Sequence, residues 1–190
     1  MNIFQIWWTG VTRPAKAFDA LKSKPAPVWG FWVVLVFNLL ISITTLLAQY
    51  LLRQPPFLES WLTFLPTENY RLAEMFFLPP LRILVWVMAA GVIHLELRLA
   101  NKASNFDIIL NISGLGYLVM MPFVLLSDWL LIALNAYWLA EYTHPLAALW
   151  GLILTVIGLK ELLGTKTGLA VALAIVSTAV SIPLLAIFAR

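Results

Sequence analysis

Residues 28–52 read VWGFWVVLVFNLLISITTLLAQYLL, 25 residues without one charge. A helix needs about 20 apolar residues to cross the hydrocarbon core of a bilayer. This stretch is long enough with a margin, so it predicts a membrane span. The rest of the chain agrees with that reading. Of its 190 residues 62% are hydrophobic and 11% charged, and the mean hydropathy is +0.92. A soluble domain carries about 25% charged residues. So few charges cannot cover a water-facing surface, so lipid is the expected solvent. The chain has no cysteine, which excludes disulfides and thiol chemistry. A net charge of +3 is too small to suggest nucleic-acid binding.

Four further stretches reach spanning length downstream: residues 79–99, 108–126, 146–163 and 168–189. The expected fold class is therefore all-α: a polytopic helix bundle of five transmembrane helices over 28–190. Pro79 and Pro80 suit a first helical turn, where a missing N–H would be unpaired anyway. That start places Arg82 near the headgroups. The connection 53–78 holds Pro55, Pro56, Pro66 and several aromatics, and is expected to lie along the interface. Residues 129–139 are apolar enough either to extend the third helix or to lie flat on the membrane. GTKTG, residues 164–168, is short enough to force the last two spans to be antiparallel neighbours.

Lysine and arginine concentrate in cytoplasmic loops. Arg13, Lys16, Lys22, Lys24, Arg98, Lys102, Lys160 and Lys166 fall on one side of the five spans; Arg53, Arg71, Arg82 and Arg190 fall on the other. The bias predicts a multi-pass cell-membrane protein with its N-terminus cytoplasmic and its C-terminus outside. MNIFQIWWTG has no basic start and no cleavage pattern, so it does not read as a signal peptide. In residues 1–27, Ile3, Ile6, Trp7 and Val11 recur at helical spacing. Pro14 then opens a second set with Ala17, Phe18 and Leu21 on one side. The segment predicts a cytoplasmic, interfacial amphipathic helix held by its aromatics and by anionic lipid, or alternatively a partner-binding helix.

Four groups of residues are candidates for function. His94, Glu96 and Arg98 cluster at the end of the second span, and could hold a proton or ion or simply anchor a helix end. Asp128, Glu141 and His144 could meet on the outer side, and their ligand types suit a metal, but their spacing is not diagnostic and no metal site is expected. Lys160 and Glu161 read as an interfacial pair. Asn38, Asn111 and Ser113 read as helix-to-helix hydrogen-bonding groups. Small residues form two stripes, Ala147, Gly151, Thr155 and Gly158 in the fourth span and Ala170, Ala174, Ser177 and Ser181 in the fifth. In lipid, close packing replaces the hydrophobic force, so these stripes are expected to face each other. Gly114 and Gly116 should admit a neighbouring helix. Tyr117 brings a hydroxyl that needs a partner, and Pro122 removes a backbone donor and can bend the helix. No nucleophile with base and orienter, no phosphate-cradling loop and no zinc spacing is present, so neither an enzyme nor a cofactor is expected.

GLGYLVMMPFVLLS, with Gly116, Tyr117 and Pro122, resembles the third-span motif of the Yip family, the Rab-GTPase-interacting five-span membrane proteins. TGVTRPAKAFDALKSKPAPVWGF, with Pro14, Phe18, Lys22, Lys24 and Pro25, is similar to the prokaryotic branch. The resemblance implies five spans and a cytoplasmic N-terminus. Eukaryotic members assist vesicle traffic, bind prenylated GTPases and associate with one another. The implied role here is non-enzymatic: membrane organisation, or binding of membrane-protein partners, of further copies of the chain, or of membrane lipids. The alternative is a small transporter, channel or lipid-moving protein. It would need a polar, water-accessible path at mid-depth.

Overall fold

The computed structural model describes residues 2–22, 27–54 and 66–188. All regular structure among them is helical. The N-terminal segment forms two short helices, α1 (Ile3–Thr12) and α2 (Pro14–Lys22). A capping box opens α1: Asn2 Oδ1 accepts from Gln5 N–H and the Gln5 side chain accepts from Asn2 N–H. The first span is α3 (Pro27–Leu40), a π-helical turn (Ile41–Leu46) and α4 (Leu47–Leu51). The others are α5 (Thr67–Leu99), α6 (Phe106–Ala133), α7 (Ala140–Leu163, preceded by a 3-10 turn at Tyr137–Leu139) and α8 (Thr167–Phe188). Among the described residues five helices are long and apolar enough to cross a membrane. The protein is an integral membrane protein, with a proximal end where α3 begins and a distal end where α6 meets α7.

Three boundaries differ from the sequence reading, each for a local physical reason. The second span starts near residue 67, not 79, and Pro79 and Pro80 lie inside it. Each proline deletes only one backbone donor, and neighbouring helices tolerate that inside a bundle. The added turns bury Tyr70, Arg71, Glu74 and Leu78, and Arg71 and Glu74 neutralise each other one turn apart. Thus 67–78 is not an interfacial loop, and Arg82 sits mid-helix. The expectations for residues 55–65 and for Lys24, Pro25 and Arg190 lie outside the described residues. Trp129 and its neighbours to Ala133 do extend the third helix, whereas 137–139 form the 3-10 turn. The fourth span consequently begins before Pro145, which lies inside α7.

α6 is the central helix: 61% of its spanning window is buried, against 17–33% for the other spans. It packs against α3, α5 and α7, and α8 closes the outside against α5 and α7. Helical structure continues on both sides of Pro122. The tightest crossing is at Gly114, where an added Cβ would lie 2.8 Å from the Cα of Gly30. Only two glycines let α3 and α6 approach so closely. Gly116 plays no such part, since a Cβ there would meet nothing within 4 Å. The stripe on the fourth span also faces elsewhere than expected. Gly158 lies against Ile112 of α6 and Phe18 of α2, and Gly151 against Met120 of α6. The fourth span therefore uses its glycines to approach the central helix, because that helix offers the larger buried face. The turn after α7 closes on Gly164, whose φ of 62° is left-handed and suits glycine.

α1 and α2 pack on the bundle. Trp7 stacks at 6.1 Å on Phe123, Gly10 lies against Val119 and Leu115, and Phe18 is fully buried. With Leu97, Ile109, Ile112, Leu115 and Leu159, Phe18 forms a dry core in the proximal half.

Candidate functional site

The distal half is built differently. Asn38, Ser42, Thr45 and Gln49 are all buried. Their offsets of 0, 4, 7 and 11 put them on one face of the first span. That face passes through the π-helical turn, a departure frequent at functional sites. From α5, Glu74, Leu78 and Arg82 are four apart and share a face. α6 contributes Tyr117, Met121 and Asp128, and α7 and its preceding turn contribute Tyr137 and His144. All of these except Ser42 and Gln49 line a chamber of about 340 Å³.

An arginine–glutamate ion pair and a histidine–aspartate hydrogen bond lie close to the chamber. Arg71 Nη1 lies 3.0 Å from Glu74 Oε2, with both side chains buried. His144 Nε2 lies 2.8 Å from Asp128 Oδ1. Asp128 is buried, and the His144 ring meets Tyr137 edge-on at 6.5 Å. Ser127 Oγ donates to Thr143 Oγ1 at 3.2 Å, and Trp129 Nε1 donates to Thr44 Oγ1 at 2.8 Å. These bonds tie α6 to α7 and to the π-helical turn, fixing the chamber walls. The Gln49 amide lies beside the Tyr137 phenol.

Arg82 is different. It makes no ion pair among the described residues, and its Nε is buried without a hydrogen-bond partner. Asn38 donates to Val34 O at 2.7 Å, but its Oδ1 has no partner, nor does Thr45 Oγ1. All three residues line the chamber. Buried polar atoms are nearly always satisfied, by protein, water or ligand. Three orphans around one cavity mark a place built to receive polar atoms.

Beside the chamber runs an apolar groove of about 470 Å³, lined by Val11, Phe123, Leu146 and Trp150. Met120, Val124, His144 and Ala147 line both spaces.

The sequence candidates separate between the two ends. Asp128 and His144 do come together, while Glu141 is exposed. His94, Glu96 and Arg98 stand at the proximal end, remote from them along the bundle. His94 Nδ1 is 2.8 Å from Ser104 Oγ, and its ring packs edge-on against Phe106 at 5.8 Å. Glu96 Oε2 is buried without a partner, and Arg98 is exposed. Lys160 and Glu161 are exposed at the end of α7. Among the described residues no group of three His, Cys, Asp or Glu side chains could hold a metal ion. Sequence reading missed Thr45, Gln49, Glu74, Arg82 and Tyr137 as site residues.

Residues 8–188 match the Yip1 domain. The chain belongs to the Yip1 domain family. The match begins within α1 and ends within α8, so this Yip1 domain takes in the two N-terminal helices and all five spans. No curated protein and no solved structure matches the chain.

Proposed function

We propose that this Yip1 protein is non-enzymatic and works by binding. It organises the membrane around it by holding partners, which are other membrane proteins, further copies of itself or lipids. One observation carries the reading: the polar chamber occupies only the distal half. The proximal half is closed by the packed side chains of Phe18, Leu97, Ile109, Ile112 and Leu159 and by the Gly30–Gly114 contact. A chamber with a sealed floor receives a ligand without conducting it. The charge bias supports a cell-membrane orientation with the proximal end in the cytoplasm and the C-terminus outside. His94, Glu96 and Arg98 would then face the cytoplasm, and Asp128 the outer side.

Reconstitution in liposomes tests the reading. Vesicles carrying the protein should retain an entrapped ion or dye as long as empty ones do. Solute flux above the empty control would overturn it in favour of a channel or transporter. The charged chamber specifically favours a second reading, a lipid-moving protein. A fluorescent-lipid flip assay in the same vesicles decides between the two.

A further inference from the structure

We infer that the chamber and the groove together hold one anionic phospholipid, its phosphate at Arg82 and an acyl chain between α6, α7 and α1. The inference deepens the binding reading above and rests on it.

Charge comes first. Arg71 is matched by Glu74, and Asp128 is hydrogen-bonded to His144. Arg82, the arginine that lines the chamber, makes no ion pair among the described residues. A charge held inside a bundle is costly unless it is paired and hydrogen-bonded. A phosphodiester supplies the missing negative charge and acceptor oxygens. Arginine is the side chain whose planar fork suits phosphate.

The other orphans fit the same head. Thr45 Oγ1 lacks a partner and can donate to a phosphate oxygen. Asn38 Oδ1 can only accept, so it asks for a hydroxyl or N–H on the ligand. A hydroxylated headgroup such as glycerol provides one. A simple inorganic anion at neutral pH satisfies Asn38 less well.

The tail is argued from the groove. Its walls are apolar apart from Ser127, Thr143 and His144. Its rim residues Phe123 and Leu146 are 49% and 67% exposed, so it opens sideways, where the bilayer lies. Because four residues line both spaces, one molecule can reach from the groove into the chamber. Cavities of about 300–1,000 Å³ are usual for small-molecule sites, and each of the two spaces falls in that range. A ligand with a charged head and an apolar chain matches both, and the surrounding membrane supplies it.

The full chain in mild detergent is incubated with phosphatidylglycerol or phosphatidylcholine, and retained lipid is counted by native mass spectrometry. The expected result is one tightly held phosphatidylglycerol, with phosphatidylcholine held no better than loosely associated lipid. Arg82→Gln should weaken retention about ten- to hundredfold, the loss of charge-assisted hydrogen bonds, and Arg82→Lys should restore much of it. Lys160→Gln, at the exposed proximal end, should change nothing. Thr45→Val gives a readout that a purely structural role would not move. It should raise the unfolding temperature in lipid-free detergent, because a buried orphan is removed, yet lower phosphatidylglycerol retention. Equal retention of both lipids, or undiminished retention by Thr45→Val, would overturn the proposal, and the latter decides even if Arg82→Gln fails to fold. Thermal protection by glycerol phosphate equal to that by phosphatidylglycerol would also overturn it, by showing a free phosphoester site. Vesicle tightness is measured independently, so a failure here leaves the binding reading standing.

Discussion

Substituting the two third-span glycines should change stability in opposite directions. At Gly114 an alanine Cβ would stand 2.8 Å from the Cα of Gly30. That is roughly 0.7–1.2 Å inside the optimal carbon–carbon separation of about 3.5–4.0 Å. The obstructing atom is backbone, so no rotamer change relieves it, and α3 and α6 must move apart. Overpacking of this kind costs about 1–3 kcal/mol. Alanine recovers up to about 1 kcal/mol as the better helix former. Gly114→Ala should therefore destabilise by roughly 0–3 kcal/mol, centred on about 1.5. At Gly116 the new methyl meets nothing within 4 Å, so only the propensity gain remains. Gly116→Ala should be neutral or stabilising by up to about 1 kcal/mol. Thermal unfolding in one detergent, followed by the loss of monodisperse protein on heating, compares the two. A Gly114→Ala protein as stable as the Gly116→Ala protein would refute the close crossing. Destabilisation by Gly116→Ala would refute the empty space beside it.

Other substitutions test other contacts. Gly158→Ala would bring a methyl within 2.6 Å of Ile112 and 2.9 Å of Phe18. It should lower the unfolding temperature more than Gly151→Ala, whose nearest neighbour is the flexible Met120 thioether at 3.2 Å. His144→Ala leaves a buried Asp128 without its hydrogen-bond partner and should cost about 1–3 kcal/mol. A double-mutant cycle with Asp128→Asn should recover much of that as coupling. Tyr117→Phe should change stability by little, because no hydrogen bond is made by its hydroxyl among the described residues; thermal unfolding checks this. Single cysteines at Ser104 and Thr165 should be shielded from an impermeant thiol reagent in intact cells, and one at Glu141 should label. The reverse pattern would invert the orientation.

Apolar length made the five spans legible, since lipid demands it of any crossing helix. Their ends were less so. The Arg71–Glu74 pair and Pro79–Pro80 look like loop when read singly, and only the burial of Tyr70 and Leu78 beside them shows helix. The stripe of Asn38, Ser42, Thr45 and Gln49 was present in the sequence at helical spacing, yet Asn38 alone stood out, because hydroxyls and amides are common packing groups in membranes. Arg82 was hidden by its misplaced helix start. The approach of Gly158 to Ile112 was not legible at all. Small residues announce a close neighbour without saying which one, and that depends on how five helices are arranged.

The seating of α1 and α2 imposes an order on assembly. Their seat consists of Ile112, Leu115, Val119, Phe123 and Gly158, all made well after them. Synthesis runs at about 5–20 residues per second, so roughly 7–30 s separate Lys22 from Gly158. Until α6 is made, the α6 surface that Trp7 and Gly10 pack against does not exist, and the Gly158 contact of Phe18 comes later still. The membrane interface is the natural resting place for such aromatic, partly basic helices. Before their seat exists, the N-terminal helices have lipid as the apolar surface within reach. Because Val11 forms part of the groove wall, the groove is complete only once α1 has docked.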